Sequence, residues 1–580
     1  MKILLCAINA KFIHSSLAIR SLMANCGEHA EYVDTLELSI NNSVAYIVKE
    51  IYAKSPEVIC FSCYIWNIEI VKEVVEIVRK VSPNVKIVFG GPEVSFAPYN
   101  LLGEFADVIV CGEGEATFAE LCRHFIHGEL ELSQIKGIAY CLENTAVVNA
   151  SREPLDLNTL TFPYTELDSL TNKIVYYESS RGCPFKCAYC ISSTTEGVRF
   201  LDMDKVYSHI DYFLENNIRL VKFVDRTFNC DAQRALDIWQ YIINNDNGRT
   251  SFHFEIGADL LSDTHIDCLK NARSGLVQFE AGVQSTNPCT LKEICRAENF
   301  DKLSENIAKI KSFGNIHIHL DLIAGLPFED FVSFKKSFND CFALRPDMLQ
   351  LGFLKLLKGS ALRMNSDNYG IEYKDKAPYE VLYTEHISFD ELMRLKDVEH
   401  LLDIYYNSSL ALNTFKYAIT MFDTAFDFFD RFARFWNSEG LHRASHSRQT
   451  LYEILFRYIM TINGAEQGFV KDLIKLDMFM AENVKNLPSW LDATDYKPIM
   501  NGIHNFFANE ENAKKYFPKL LELTPKQLSR VCHIERFSYR VLDFITSDKK
   551  EFKENYCLFV YDDGHTQTYN IDLAEVQDDN

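Results

Sequence analysis

The chain has 580 residues, of which 47% are hydrophobic and 24% are charged, and its formal net charge is -22. This length predicts several domains, and the apolar content excludes wholesale disorder. The acidic balance disfavours a protein that holds a nucleic-acid backbone, which requires an excess of Lys and Arg. No apolar run is long enough to span a bilayer, and the opening stretch reaches Lys11 without a cleavage site. We therefore expect a cytoplasmic protein without membrane contact.

The first 130 residues alternate short apolar runs with amphipathic stretches. The predicted strands are Lys2–Ile8, Val58–Ser62, Lys86–Phe89 and Asp107–Val110. The predicted helices between them are Leu17–Asn25, Val44–Lys54, Glu69–Val81 and Thr117–His127. This alternation predicts a doubly wound, Rossmann-like parallel sheet over residues 1–150, whose ligands lie beyond the carboxyl ends of its strands.

Small or polar residues lie at the carboxyl ends of three of these strands. Ser62 is the last residue of Val58–Ser62, Gly90 and Gly91 follow Lys86–Phe89, and Gly112-Glu113-Gly114-Glu115 lies after Asp107–Val110. Glycines at such positions allow tight turns and a close approach of the backbone to a ligand. Because the three loops share one edge, they predict a cofactor cleft.

Residues 151–172 contain Pro154 and Pro163, show no helical period, and are predicted to be a linker. A second series of strands and helices follows in residues 173–360. Its predicted strands are Ile174–Glu178, Leu220–Val224, Ser251–Ile256, Val277–Ala281, His317–Ile323 and Met348–Phe353, and its clearest helices are Met203–Asn216, Asp231–Ile243 and Phe300–Ser312. Six such units predict a parallel partial (β/α)6 barrel with its functional groups at the carboxyl ends of the strands.

Residues 361–580 change in character. Aromatic-rich stretches with helical periodicity predict a mainly α-helical C-terminal domain, with helices at Phe389–Leu402, Tyr417–Trp436 and Thr450–Thr461. Near the end, Asp562-Asp563-Gly564 between two β-rich runs predicts a hairpin.

Three of the 17 cysteines stand apart from the rest, most of which lie singly in apolar runs and are predicted to be buried. Cys183, Cys187 and Cys190 share one loop that contains Gly and Pro, and their spacing suits an iron–sulfur cluster. Three local thiolates leave one iron of a four-iron cluster open for a ligand. Zinc is the competing interpretation, although no matching Cys/His pair lies downstream at a suitable spacing.

The string Cys183-x3-Cys187-x2-Cys190, with Tyr189 before the third cysteine, resembles the signature of the radical S-adenosylmethionine (SAM) enzymes. The resemblance implies that the three cysteines hold a [4Fe-4S] cluster and that its open iron binds SAM. One-electron reduction by an external flavodoxin- or ferredoxin-type protein then cleaves SAM to a 5′-deoxyadenosyl radical.

Later segments resemble further motifs of the same family. The resemblance implies that seven residues contact SAM: Tyr189, Asp225, Phe228, Glu280, Gln284, Ser285 and Gly325. The third strand departs from the family pattern, because Glu255 is followed two residues later by Gly257 and not by Arg.

The N-terminal strand-end loops resemble the cobalamin-binding domain that precedes the radical SAM domain in one large subclass. The resemblance implies that Ser62, Gly90 and Gly91 accommodate the nucleotide tail of cobalamin, and that Trp66, Glu113 and Gly114 also border the cofactor. For Trp66, a position in the apolar core is the alternative interpretation. The loop after the first strand contains His14 but lacks the Asp-x-His-x-x-Gly pattern, so cobalamin without a histidine ligand is implied.

These resemblances predict a cobalamin-dependent radical SAM enzyme that transfers a methyl group to an unactivated carbon of a small molecule or peptide. One alternative keeps both cofactors but catalyses a redox, cyclisation or ring-rearrangement step. Another is a methylthiotransferase-like RNA-modifying enzyme, which requires three further cysteine ligands among the first 150 residues. A non-catalytic iron–sulfur or zinc protein is the third.

Overall fold

The structure is a computed structural model that describes residues 2–143, 145–164, 170, 172–562 and 565–571. It divides into two compact units, Met1–Leu392 and Met393–Asn580, and each unit is described by itself. No helix among the described residues combines the length and the hydropathy that a membrane span requires.

The first unit begins with a seven-stranded sheet that is flanked by helices. Its strands are β1 Ile3–Asn9, β2 Val33–Ser39, β3 Val58–Ser62, β4 Lys86–Gly90, β5 Val108–Val110, β6 Ile138–Leu142 and β7 Thr145–Val148. Its α-helices are α1 Leu17–Asn25, α2 Val44–Lys54, α3 Ile68–Val81 and α4 Glu115–Cys122. The spatial order is β2-β1-β3-β4-β5-β6-β7, with β1 to β5 parallel and the last two strands antiparallel.

Apolar side chains fill both faces of this N-terminal sheet. Every residue of β1 is buried, and separate apolar clusters form on the α2–α3 side and on the α1–α4 side. The strand order reverses between β1 and β3, which is where ligands bind in doubly wound sheets. The predicted sheet is therefore confirmed, while β2, β6 and β7 are additions that the sequence pattern does not predict.

A six-stranded parallel sheet follows, and it forms a partial barrel. Its order is β15-β14-β13-β12-β11-β8, and its strands are β8 Val175–Tyr177, β11 Leu220–Phe223, β12 Ser251–Ile256, β13 Val277–Gln284, β14 His317–Ala324 and β15 Met348–Phe353. A short hairpin of β9 Ser180–Gly182 and β10 Val198–Phe200 flanks the cysteine loop. The helices are α5 Met203–Glu215, α6 Ala232–Asn244, α7 Asp263–Leu269, α8 Pro288–Glu293, α9 Phe300–Phe313, α10 Phe331–Ala343 and α11 Ala361–Met364, and the short strands β16 Glu372–Tyr373 and β17 Val381–Tyr383 pair after them.

The two faces of the barrel sheet differ in chemistry. Buried and half-buried residues alternate along β13, and Phe279 on its buried face packs against Trp239 of α6 at a ring distance of 5.4 Å. The opposite, inner face carries polar residues such as Glu280 and Gln284. The predicted partial barrel of six βα units is confirmed.

The segment before the barrel is the predicted linker. Its described residues include one short 3-10 turn, Leu157–Thr159, whereas residues 165–169 and 171 lie outside the described residues.

The second unit is mainly helical. Helix α12, Phe389–Leu401, spans the division between the units, and the later helices are α13 Leu412–Ile419, α14 Ala425–Ser438, α15 Arg448–Ile459, α16 Gln467–Ala481, α17 Met500–Ala508, α18 Glu510–Tyr516, α19 Pro525–Val531 and α20 Val541–Ser547. The strands β18 Cys532–Tyr539, β19 Phe552–Asp562 and β20 His565–Ile571 form an antiparallel sheet.

Two details of this unit correct the sequence prediction. The helix predicted over Tyr417–Trp436 is two helices, because Thr424 caps the second by accepting a hydrogen bond from the Asp427 backbone amide. Strand β18 is absent from the prediction. The predicted hairpin is present as the antiparallel pair β19–β20, but Asp563 and Gly564 of its turn lie outside the described residues.

Candidate active site

A large cavity opens at the carboxyl edge of the N-terminal sheet. Its volume is about 730 Å³, and all six residues that the sequence assigned to this edge line it: Ser62, Trp66, Gly90, Gly91, Glu113 and Gly114. The other side of the cavity is lined by barrel residues that include Tyr176, Glu178 and Arg226. One space thus connects the ligand edge of the first sheet with the first two strands of the barrel.

Gly91 shows why this edge requires glycine. Its φ is +111°, and a Cβ at this position would lie 2.5 Å from the Cys63 carbonyl oxygen. A side chain is therefore excluded both by the backbone conformation and by contact with the neighbouring strand end. The cavity depends on this close approach of two loops.

Trp66 is an aromatic wall of the cavity and not a core residue. It is 42% exposed, stacks on Tyr64 at a ring distance of 4.3 Å, and donates a hydrogen bond to the Ile8 carbonyl. The stack and the hydrogen bond fix the indole over the end of β1. This placement offers a flat apolar surface to a planar ligand.

Glu113 and Arg181 connect the edge of the first sheet to the cysteine loop. Arg181, two residues before Cys183, forms ion pairs with Glu113 at 3.2 Å, Glu115 at 2.8 Å and Glu178 at 2.7 Å. Burial alone would raise the pKa of Glu113, but hydrogen bonds and charge from Arg199 and Arg181 hold it below its ordinary value. The carboxylate of Glu113 is therefore ionised and held in place by arginines.

The three cysteines lie together in the loop after β8. Cys183 and Cys187 are buried, and Cys190 is half-buried. Lys186 holds the loop closed by donating to the carbonyls of Ser193 and Thr195 at 3.0 and 2.9 Å. Among the described residues, the three sulfurs are not within 4.8 Å of one another, as the ligands of a single ion would be. This arrangement disfavours a single zinc ion, and the four-iron cluster stays a prediction from the sequence motif.

Arg296, which the sequence prediction missed, joins the cysteine loop to the end of β13. Its guanidinium donates to the Gly282 carbonyl, to the Tyr189 hydroxyl at 3.3 Å and towards the Cys187 sulfur at 4.0 Å. Glu298 pairs with it at 2.6 Å and keeps the charge balanced. No local pattern in the sequence marks Arg296, which lies 12 residues after Gln284 in an otherwise ordinary segment.

Gln284 ends β13 in a strained conformation. Its φ is +67°, the strand bulges between Gly282 and Gln284, and a Cβ at Gly282 would lie 1.9 Å from the Gln284 side-chain nitrogen. The amide therefore folds back over Gly282 at the rim of the barrel. Strain of this kind is typical of ligand sites.

Three predicted SAM contacts are buried behind the rim. The Asp225 carboxylate accepts hydrogen bonds from the backbone amides of Ser179 and Ser180, Phe228 packs on Phe254 at 4.4 Å, and Ser285 donates to Glu329 at 2.7 Å. The structure gives these side chains a supporting place in the fold, and their direct contact with SAM stays a prediction. Gly325 is also buried, with a φ of +90° against Val381.

Glu280 lies deeper in the barrel than the other predicted SAM contact on its strand. It is four residues before Gln284, and its Oε2 atom contacts Lys222 at 2.8 Å and His253 at 2.9 Å. Its contact with the SAM ribose stays a prediction. His14 lines the large cavity and hydrogen bonds through Nδ1 to the Tyr176 hydroxyl at 2.5 Å.

Family models match three parts of the chain. The B12 binding domain model matches residues 3–122, the Radical SAM superfamily model matches residues 177–341, and the model "Protein of unknown function (DUF4080)" matches residues 367–559.

A curated relative and two solved structures agree with these matches. The chain is 28% identical over 322 residues to 2-(S-pantetheinyl)-carbapenam-3-carboxylate methyltransferase of Streptantibioticus cattleyicolor, covering 48% of this chain and 44% of that enzyme. It therefore spans less than half the length of this relative.

The two structures share the fold. The radical SAM methyltransferase TsrM from Kitasatospora setae gives a TM-score of 0.54 at 16% identity, covering 65% of this chain and 80% of that chain. The cobalamin-dependent radical SAM enzyme OxsB gives a TM-score of 0.54 at 13% identity, covering 82% and 83%. The family models thus show a B12 binding domain followed by a Radical SAM domain, the combination expected of a radical SAM enzyme with a cobalamin-binding domain, and the two solved structures share this fold.

Proposed function

We propose that this chain is a cobalamin-dependent radical SAM methyltransferase that methylates an unactivated carbon of a small molecule. The supporting observation is the single cavity of about 730 Å³ that is lined by the N-terminal sheet edge and by barrel strands. A transfer between two cofactors requires such a shared space. The carbapenam methyltransferase named above supports methyl transfer as the reaction.

The residues present fit the two cofactors. Cys183, Cys187 and Cys190 would hold the [4Fe-4S] cluster, while Ser62, Gly90 and Gly91 would accommodate cobalamin. When bound, the cluster and SAM supply a radical that removes hydrogen from carbon, and cobalamin supplies the methyl group.

The protein's own contribution is to position both halves of the site. Arg181 holds the loop that carries Cys183 against the glutamates at the edge of the N-terminal sheet. Glu115 is buried and Arg181 and Glu113 are partly buried, so removing one partner would leave a poorly solvated, uncompensated charge. The cysteine loop and the cobalamin edge are therefore held at a fixed separation.

Two side chains on the barrel rim would orient SAM. The Gln284 amide offers a donor and an acceptor to the ribose hydroxyls, and Arg296 presents a cation beside the cysteine loop. A small-molecule substrate would enter the polar interior of the barrel. The proposal also requires an external one-electron reductant of the flavodoxin or ferredoxin type.

Product analysis tests the reaction class. After anaerobic reconstitution with iron, sulfide and cobalamin, the protein is supplied with SAM, a one-electron reductant and a small-molecule extract that contains candidate acceptors; methyl transfer should then yield S-adenosylhomocysteine and 5′-deoxyadenosine in comparable amounts. A cluster that forms normally without cobalamin uptake would exclude the two-cofactor reaction. Deoxyadenosine without S-adenosylhomocysteine would contradict methyl transfer and favour the redox or cyclisation alternative.

The RNA-modifying alternative receives no support from the cysteines of the N-terminal sheet. Five of the seven candidate thiols are buried in the two apolar clusters on opposite faces of that sheet, Cys6 and Cys63 in one and Cys26, Cys60 and Cys122 in the other.

A further inference from the structure

The inner face of the barrel carries a cluster of ionisable side chains below the rim. They come from four neighbouring strands: Lys222 on β11, His253 and Glu255 on β12, Glu280 on β13, and His319 and Asp321 on β14. The proposed reaction uses none of them beyond the predicted ribose contact of Glu280. We call this set the lumen cluster.

Three members of the lumen cluster converge on one point. One ligand atom each from Glu280, His319 and Asp321 lies within 4.8 Å of the other two. The side chains share a face because His319 and Asp321 are two residues apart on β14 and because Glu280 is the register partner of His319 on β13. Backbone pairing, and not loop conformation, sets this geometry.

Two of the three atoms lack hydrogen-bond partners. His319 is only 8% exposed, and its Nε2 atom and the Asp321 Oδ1 atom are both buried without a hydrogen-bond partner among the described residues. They lie 2.9 Å apart but do not form a well-oriented hydrogen bond. Each buried atom thus has one ion-pair contact with the other and no hydrogen bond, an environment that a ligand shared by both atoms would satisfy.

The charges of the cluster favour a cation. Lys222 contacts Glu280 at 2.8 Å and Glu255 at 3.7 Å, so one ammonium group serves two carboxylates. With Asp321, three carboxylates face Lys222 and, at Glu255, the charge of Arg226, which leaves one negative charge uncompensated when all three are ionised. A bound cation would offset it.

We propose that Glu280, His319 and Asp321 bind one divalent first-row metal ion inside the barrel, separate from the iron–sulfur cluster. One imidazole nitrogen and two carboxylate oxygens suit Mn²⁺, Fe²⁺ or Zn²⁺. Lys222 and His253 occupy Oε2 of Glu280, which leaves Oε1 for the ion in place of the ribose contact that the resemblance implied for this residue. Three protein ligands leave open positions on the ion, where an oxygen or nitrogen atom of the substrate would bind.

Manganese binding tests the site without reference to activity. The reconstituted protein, with an oxidised cluster and cob(III)alamin, is treated with a chelator and titrated with Mn²⁺, while the EPR spectrum of free Mn²⁺ is recorded at room temperature. We expect one site of micromolar affinity per chain. His319→Ala and Asp321→Asn should each weaken it at least about tenfold.

His317→Ala provides the matched control. His317 lies on the same strand and face, two residues before His319, but is exposed and outside the convergent group. This variant should bind Mn²⁺ like the wild type. Asp321→Asn preserves the side-chain shape, so its circular dichroism spectrum should be unchanged.

Two outcomes would overturn the proposal. One is a wild-type protein with no Mn²⁺ site tighter than millimolar. The other is a site whose affinity is the same in folded His319→Ala and Asp321→Asn protein. Neither depends on methyl transfer, whose own failure would appear as missing cobalamin uptake or missing S-adenosylhomocysteine.

Discussion

The two parallel sheets of the first unit use their faces differently. In the N-terminal sheet, β1 is buried throughout and helices cover both faces, so ligands can reach only the loops at its carboxyl edge. In the barrel, β13 alternates buried and half-buried residues and presents a polar inner face. One sheet therefore confines chemistry to its edge, whereas the other also offers side chains along the length of its strands.

The cysteine loop should be the most sensitive point of the barrel. Replacing Cys183, Cys187 or Cys190 with Ala removes a cluster ligand and should reduce SAM cleavage at least about 1,000-fold. Iron content and deoxyadenosine formation are the measurements. The exposed Cys289 lies outside the loop, so Cys289→Ala should retain wild-type iron content; a loss of iron equal to that of the loop variants would undermine the assignment.

In the N-terminal sheet, a substitution at Gly91, on the carboxyl edge, should destabilise the protein and weaken cobalamin binding. Gly91→Val places a Cβ 2.5 Å from the Cys63 carbonyl at a φ of +111°. We expect a stability loss of about 1–3 kcal/mol and at least about tenfold weaker cobalamin binding. Gly112→Ala is the control, because its φ is also positive, at +85°, but nothing lies within 4 Å. Equal losses in both variants would show that strain alone, and not the close approach, matters.

Arg296 joins the barrel rim to the cysteine loop, so its loss should have an intermediate effect. Arg296→Met removes charge-assisted hydrogen bonds to Gly282 and Tyr189 and should weaken SAM binding about tenfold or more. Arg296→Lys keeps the positive charge but loses the planar set of N–H donors, so its affinity for SAM should lie between those of the wild type and Arg296→Met. Calorimetric titration with SAM checks this order, and wild-type affinity in Arg296→Met would refute it.

The smallest expected effect concerns Glu329, behind the rim. Burial raises its pKa to about 7, although serine hydroxyls donate to it. The pKa of this carboxyl is higher in the folded protein than its value of about 4.5 in the unfolded chain, so its ionisation destabilises the folded state. The free energy of unfolding should therefore fall as the pH rises from about 4.5 to about 7. Glu329→Gln has no group that ionises at this position, so its stability should not fall in this way.

We therefore expect Glu329→Gln and wild type to unfold at similar denaturant concentrations at pH 5. At pH 9 the variant should be more stable, by up to about 3 kcal/mol. A stability difference that does not change with pH would contradict the account.

The sequence predicted the strands and glycines of the N-terminal edge because a buried parallel strand has a continuous apolar pattern. It missed β2, Val33–Ser39, because this strand alternates apolar with polar residues and lies at the edge of the sheet. It predicted the cysteine loop because three thiols at close spacing in one polar loop are typical of cluster ligands and not of buried structural cysteines.

The rest of the site depends on tertiary contacts that spacing does not reveal. The sequence places Asp225 and Ser285 at strand ends, but only the fold shows that their polar atoms are bonded to Ser179, Ser180 and Glu329. Arg296 gave no local indication, and it acquires its place because a bend after α8 returns it to Gly282. The lumen cluster likewise required the register between β13 and β14.

The central claim is that both cofactors occupy one connected site. The direct test is EPR spectroscopy of protein that contains cob(II)alamin and the reduced cluster together. We predict magnetic interaction between the two spins, visible as broadening or splitting that disappears when the cluster is oxidised. Spectra that are the simple sum of two isolated centres would contradict the claim.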